Sequence, residues 1–146
     1  MALSGAREVC LAGVAHAQGR AGRRADRCGA FHQYRSVSGP DGFVRAAALR
    51  EIEAGLPLGV VMRDGRRVCL VRDGDAVHAV DDRCPHRDFA ISGGDLVEPC
   101  VLECPWHGAR FDVRTGAVLS GPSTDDLGTY PVHVVDGDVF VGPRRT

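Results

Sequence analysis

The sequence predicts an all-β fold on three observations. Short runs rich in Val, Leu and Ala recur from residue 41 onward. Several of them are separated by Asp-Gly pairs, at Asp64-Gly65, Asp73-Gly74 and Asp136-Gly137. Asp and Gly tolerate the positive φ that a tight hairpin needs, so each pair marks a turn between antiparallel strands. Finally, 19 Gly and eight Pro in 146 residues, with only five Phe, point to many turns and loops.

Taken in order, Phe43-Val44-Arg45-Ala46 reads as a first strand. Ala47 to Glu53 then reads as a short helical turn, ending near Gly55 and Pro57. Leu58 to Arg63, Arg66 to Arg72 and Asp75 to Val80 form an antiparallel meander, with Val68, Leu70, Val77 and Ala79 turned inward. Cys69 falls in a strand, where a thiol behaves as a small apolar side chain. His78, mid-strand, reads as a surface residue. Short strands follow near Asp95 to Val97 and at Val101 to Glu103, with a turn at Gly93-Gly94 and Cys100 on the strand below Cys104. Arg110 to Val113 and Ala117 to Leu119 flank a hairpin at Arg114-Thr115-Gly116, and Pro122 to Gly128 is a loop. Tyr130 to Val135 and Val139 to Val141 close the sheet, with His133 pointing outward. The expectation is about nine short strands.

Composition bounds the class. Hydrophobic residues make up 44% and charged residues 25%, with a net charge of −1, an ordinary balance for one soluble domain. No apolar run approaches the 18 or so residues of a membrane span, and Leu11 to Ala17 is too short for a secretion signal. The expected location is the cytoplasm. Residues 1–40 carry six Arg against Glu8 and Asp26 and show no lasting helical or strand period. They read as a disordered leader or an upstream start, with a transit peptide as the alternative. Without interleaved aromatic residues their arginines make no platform for nucleic acid. Cys10 and Cys28 are incidental there, and residues 41–146 form the folded domain.

The chemistry lies in Cys84-Pro85-His86 and Cys104-Pro105-Trp106-His107, a Cys-x-His pair and a Cys-x-x-His pair with 17 residues between them. Two thiolates and two imidazoles on two short loops can bind metal. Iron and zinc both accept this set, so ligand type alone does not choose between them. In a Rieske centre, two His replace two Cys on one iron of a [2Fe–2S] cluster, so each loop gives one ligand to each iron. The two motifs supply that arrangement.

At Cys84-Pro85-His86-Arg87 and Cys104-Pro105-Trp106-His107-Gly108-Ala109-Arg110-Phe111-Asp112 the sequence resembles the Rieske iron–sulfur family. The resemblance covers residues 42 to 142. More narrowly, it points to the small Rieske ferredoxins that serve ring-hydroxylating dioxygenases. It implies a Rieske-type antiparallel β-sandwich with a small cluster-binding subdomain formed by two loops. It implies a Rieske-type [2Fe–2S] cluster whose outer iron is held by His86 and His107 and whose inner iron is held by Cys84 and Cys104. An assembled cluster implies a reducing compartment. Family members in respiratory complexes carry a Ser and a Tyr where this sequence has Ala109 and Phe111. They also carry a disulfide between the positions occupied here by Phe89 and Trp106. Lacking those hydroxyls, this protein is expected near the low end of the Rieske range, about −150 mV rather than about +300 mV.

The expected function is that of an electron carrier rather than an enzyme. It would be a monomer that takes single electrons from an NAD(P)H-dependent flavin reductase and gives them to a terminal, aromatic-ring-hydroxylating oxygenase. It would use neither nucleic acid nor membrane. Residues 41–146 hold 17 acids against 12 Arg, an imbalance that would steer such a carrier toward basic partners. A catalytic oxygenase needs a further iron held by two His and a carboxylate. Only His133 follows His107, which leaves no such set. The alternatives are a small subunit of an assimilatory nitrite reductase and a structural zinc-binding module.

Overall fold

The computed structural model describes residues 39–145, so the expected leader, apart from its last two residues, lies outside the described residues. Eleven strands run in the order β1 (Val44–Ala48), β2 (Leu58–Val61), β3 (Arg67–Asp73), β4 (Ala76–Asp81), β5 (Asp95–Glu98), β6 (Val101–Glu103), β7 (Arg110–Asp112), β8 (Val118–Ser120), β9 (Thr129–Tyr130), β10 (Val132–Val135) and β11 (Asp138–Val141). Two single 3-10 turns, Leu49–Glu51 and Ile91–Gly93, are the helical elements among the described residues.

The strands form three sheets with antiparallel pairing throughout: β1-β11-β10, β2-β3-β4-β9 and β5-β6-β7-β8. Strand β3 explains how they stack. Side chains alternate faces along a strand. Val68 and Leu70 pack with Ala47, Val139 and Val141 of the first sheet, whereas Cys69 and Val71 pack with Leu102 and Phe111 of the third. All four β3 side chains are fully buried. Each Val or Leu removed from water contributes about 1.5–3 kcal/mol, so the middle sheet binds one core on each face.

The expected turns form. At the β10–β11 hairpin both central residues, Asp136 (φ 51°) and Gly137 (φ 80°), take left-handed conformations, which a two-residue hairpin of matching twist requires. The Tyr130 to Val135 run is not one strand. Pro131 has no N–H to give a ladder, and it divides the run into β9, paired with β4, and β10, paired with β11. One segment thereby serves two sheets, so the ten runs named from the sequence become eleven strands among the described residues, against an expected total of about nine.

Two single-residue expectations also change. His78 is half-buried rather than on the surface, because it sits opposite Val71 on β4. Cys100 lies in the β5–β6 turn rather than on the strand, in a left-handed conformation (φ 60°). Its Sγ donates to Asp73 Oδ2 at 2.9 Å. Burial, then the Asp73 carboxylate, pushes this thiol up to about 11. Burial likewise raises Cys69, with the Asp82 charge adding to it. Both thiols stay protonated at neutral pH.

Candidate metal centre

The two motifs sit on loops carried by different sheets. The first loop leaves β4 of the middle sheet and runs from Asp82 to Ala90. The second is the connection between β6 and β7 of the third sheet.

The second loop is closed by its own hairpin. Glu103 faces Arg110 in the ladder, and the pair is joined by an ion pair of 2.7 Å. Above it, Cys104 N donates to Ala109 O at 2.8 Å, and Gly108 N donates to Cys104 O at 3.1 Å. Gly108 has φ 70°, a backbone state that a residue with a Cβ rarely takes. Beneath the loop, a Cβ at Gly94 would stand 1.9 Å from the Glu103 carbonyl oxygen and 3.1 Å from Pro105. Only glycine lets the second loop settle there.

The first loop has one closing bond of its own and is otherwise braced from outside. Cys84 N donates to Phe89 O at 2.9 Å, which closes the loop on itself. Its root is the buried Asp82, whose Oδ1 accepts from Ser92 N at 2.8 Å and whose N donates to Arg67 O at 3.0 Å. Gly59 on β2 makes room for this brace, since a Cβ there would stand 2.4 Å from Ser92 Oγ and 2.9 Å from Asp82 Oδ2. Nothing in the Asp82 sequence neighbourhood signals this role.

The donors come together as two pairs. Cys84 and Cys104 are both buried, at 3% exposure each. Burial is the largest influence on the Cys104 thiol and pushes its pKa up. Backbone hydrogen bonds from Trp106 and His107 pull it down, and the neighbouring Cys84 thiol pushes it up. His86 and His107 are exposed, and their Nδ1 atoms face each other at 3.2 Å with the rings nearly perpendicular. Two imidazole nitrogens about 2.0–2.1 Å from one tetrahedral ion lie about 3.3 Å apart, so the His pair is already spaced to share an ion. Among the described residues, no three His, Cys, Asp or Glu side chains gather as ligands of a single ion. Two buried thiols and two exposed imidazoles are the donor types that a two-iron cluster with two Cys and two His ligands would take. Neither Cys69 nor Cys100 joins these pairs.

A second tie joins the loops. Phe89 and Trp106, one from each loop, stack with ring centroids 4.4 Å apart and planes 16° from parallel. The sequence marks these positions only as lacking a disulfide, and a stacked pair stands there instead. Ala109 and Phe111 are fully buried and bring no hydroxyl to the centre.

Residues 42–131 match the family model described as the Rieske [2Fe-2S] domain. The chain is 43% identical over 74 residues to the 3-phenylpropionate/cinnamic acid dioxygenase ferredoxin subunit of Escherichia coli strain K12, covering 51% of this chain and 70% of that one. It is similar in structure to the ferredoxin of carbazole 1,9a-dioxygenase from Nocardioides aromaticivorans IC177 (37% identity, TM-score 0.65), over 69% of this chain and 97% of that one. It also resembles a chain from a complex of reduced oxygenase and oxidized ferredoxin in carbazole 1,9a-dioxygenase (30% identity, TM-score 0.67), over 73% and 99% of the two chains.

Proposed function

The chain belongs to the Rieske [2Fe-2S] domain family, and on that premise we propose that it is a one-electron carrier of a multicomponent oxygenase. Cys84 and Cys104 hold one iron of the cluster, and His86 and His107 hold the other. The domain is taken as residues 41–146, a reading supported by β10 and β11, which lie beyond the matched segment and complete the first sheet. Electrons arrive from an NAD(P)H-dependent flavin reductase and leave to a terminal oxygenase that hydroxylates aromatic rings. Similarity to dioxygenase ferredoxin subunits supports this assignment. The protein works in the cytoplasm as a monomer. No helix among the described residues is long and apolar enough to cross a membrane.

The observation that carries this function is the sorting of donors, with two thiols inside and two imidazoles at the surface. When bound, the cluster supplies a couple that gains and loses one electron. The protein contributes the surroundings. Buried Cys84 and Cys104 keep water from the sulfur side, and exposed His86 and His107 present the shortest way out. Backbone N–H groups of Trp106 and His107 donate toward the Cys104 sulfur and temper its charge. Ala109 and Phe111 withhold the hydroxyl donors that would stabilise the reduced state further.

A redox titration of anaerobically purified protein, followed by electron paramagnetic resonance and metal analysis, tests this function. The expected result is a Rieske-type signal titrating near about −150 mV. Zinc without iron or acid-labile sulfide would contradict it.

A further inference from the structure

The surface beside the first loop forms a groove of about 830 Å³ that opens next to His86. Five of the twelve Arg of residues 41–146 line it, with only three of the 17 acids. The rest of that span therefore carries seven Arg against 14 acids. Asp64 and Asp82 pair with groove arginines from outside its lining, so the character of the groove depends on which charges face solvent.

The vertical arrangement of its charges sharpens this. Arg67 is 48% exposed over an Asp82 side chain that is 6% exposed. Arg144 is 53% exposed over Asp81 at 21%, with the Asp81 carboxylate also taken by Gly128 N and the Tyr130 hydroxyl. In both pairs the carboxylate lies beneath and the guanidinium faces solvent. Arg87, directly after His86, is exposed and makes no ion pair among the described residues. Arg66 pairs with Asp64, and Arg83 pairs with Asp88, both at the surface. Guanidinium forks bind carboxylates with paired hydrogen bonds, which makes such a lining selective for Asp and Glu side chains.

We propose that this groove is the docking site for a carboxylate-bearing surface segment of the protein that accepts the electron. The inference rests on the carrier function above and names the chemistry of its acceptor. Net charge alone argues for a basic acceptor. Beside His86 the guanidinium groups of Arg67, Arg144 and Arg87 face solvent, and close contact is governed by such local charges because salt screens the remainder within about 10 Å.

The test uses the cluster-loaded full chain, reduced with dithionite and then mixed in a stopped-flow device with ferricyanide. One electron leaves the protein, and ferricyanide becomes ferrocyanide. Between about 10 mM and about 200 mM ionic strength the rate is expected to fall at least about threefold, as for opposite charges, while oxidation by hexaammineruthenium(III) speeds up. Arg87→Glu removes most of the ferricyanide slope, and the double variant Arg67→Glu/Arg87→Glu reverses it. Arg50→Glu, outside the groove, leaves the slope in place. Hexaglutamate at about 1 mM, with ionic strength matched by sodium chloride, slows the ferricyanide reaction of the wild-type protein about twofold and spares the Arg87→Glu variant. A ferricyanide rate that rises with salt overturns the proposal, and so does indifference to hexaglutamate. An unchanged paramagnetic signal in each variant separates these failures from failure of the carrier function itself.

Discussion

The two ligand loops reach the same centre by different means, and their difference shows what a metal site asks of a fold. The second loop is a hairpin connection. Its ends are set by the Glu103–Arg110 register, and its closing hydrogen bonds join Cys104 to Ala109 and Gly108 to Cys104, all within a few residues. The first loop has no partner strand of its own. It is aimed by Asp82, which grips Ser92 ten residues away, in a space that Gly59 of β2 leaves open. One loop is local and the other is tertiary. The Phe89–Trp106 stack ties them at the surface, while Cys84 and Cys104 meet below.

Removing the remote brace of the first loop should have the largest effect. Asp82→Ala leaves the half-buried Ser92 N–H without its acceptor, at a cost of about 1–3 kcal/mol. The expected outcome is a melting temperature lower by about 10 °C, together with incomplete cluster incorporation, read by calorimetry and the iron-to-protein ratio. A fully loaded variant with wild-type melting would show that the first loop holds itself.

Cutting the tie has a smaller effect. Trp106→Ala removes a stacked pair of the sort that contributes about 0.5–1.5 kcal/mol beyond burial. Melting should fall by a few degrees, and the cluster should be lost faster in air. The double variant Phe89→Cys/Trp106→Cys, once oxidised, should restore both properties if the stack acts as a link between loops. Recovery in the reduced variant as well would deny that role.

Least is expected at the second loop's ion pair. Arg110 and Glu103 are both partly exposed, and such pairs contribute at most about 1 kcal/mol. Arg110→Gln should change melting by a degree or two and leave iron content unaltered. A loss as large as that of Asp82→Ala would erase the distinction between local and remote support.

The same distinction explains how far the sequence could be read. The Asp-Gly turns and the short apolar runs announce the strands, because a hairpin is decided by residues next to one another. The four candidate ligands are legible through their spacing. The three-layer stacking was encoded in β3, where Val68, Cys69, Leu70 and Val71 are all apolar, yet a continuous apolar run does not say what covers each face. Pro131 looked like part of a strand, whereas its missing N–H separates two sheets. Cys100 and His78 depart from the sequence reading because a left-handed turn residue and a cross-strand neighbour are set by tertiary structure. Asp82, the buried brace of the first loop, carried no signal, since its partner lies ten residues away.

In the proposed centre the two thiols and the two imidazoles serve different irons, with His86 and His107 at the surface. Its most direct test is pulsed electron paramagnetic resonance on the reduced protein grown with 15N-labelled histidine. Two histidine nitrogens strongly coupled to the electron spin are expected. A spectrum with one such nitrogen, or none, would contradict it.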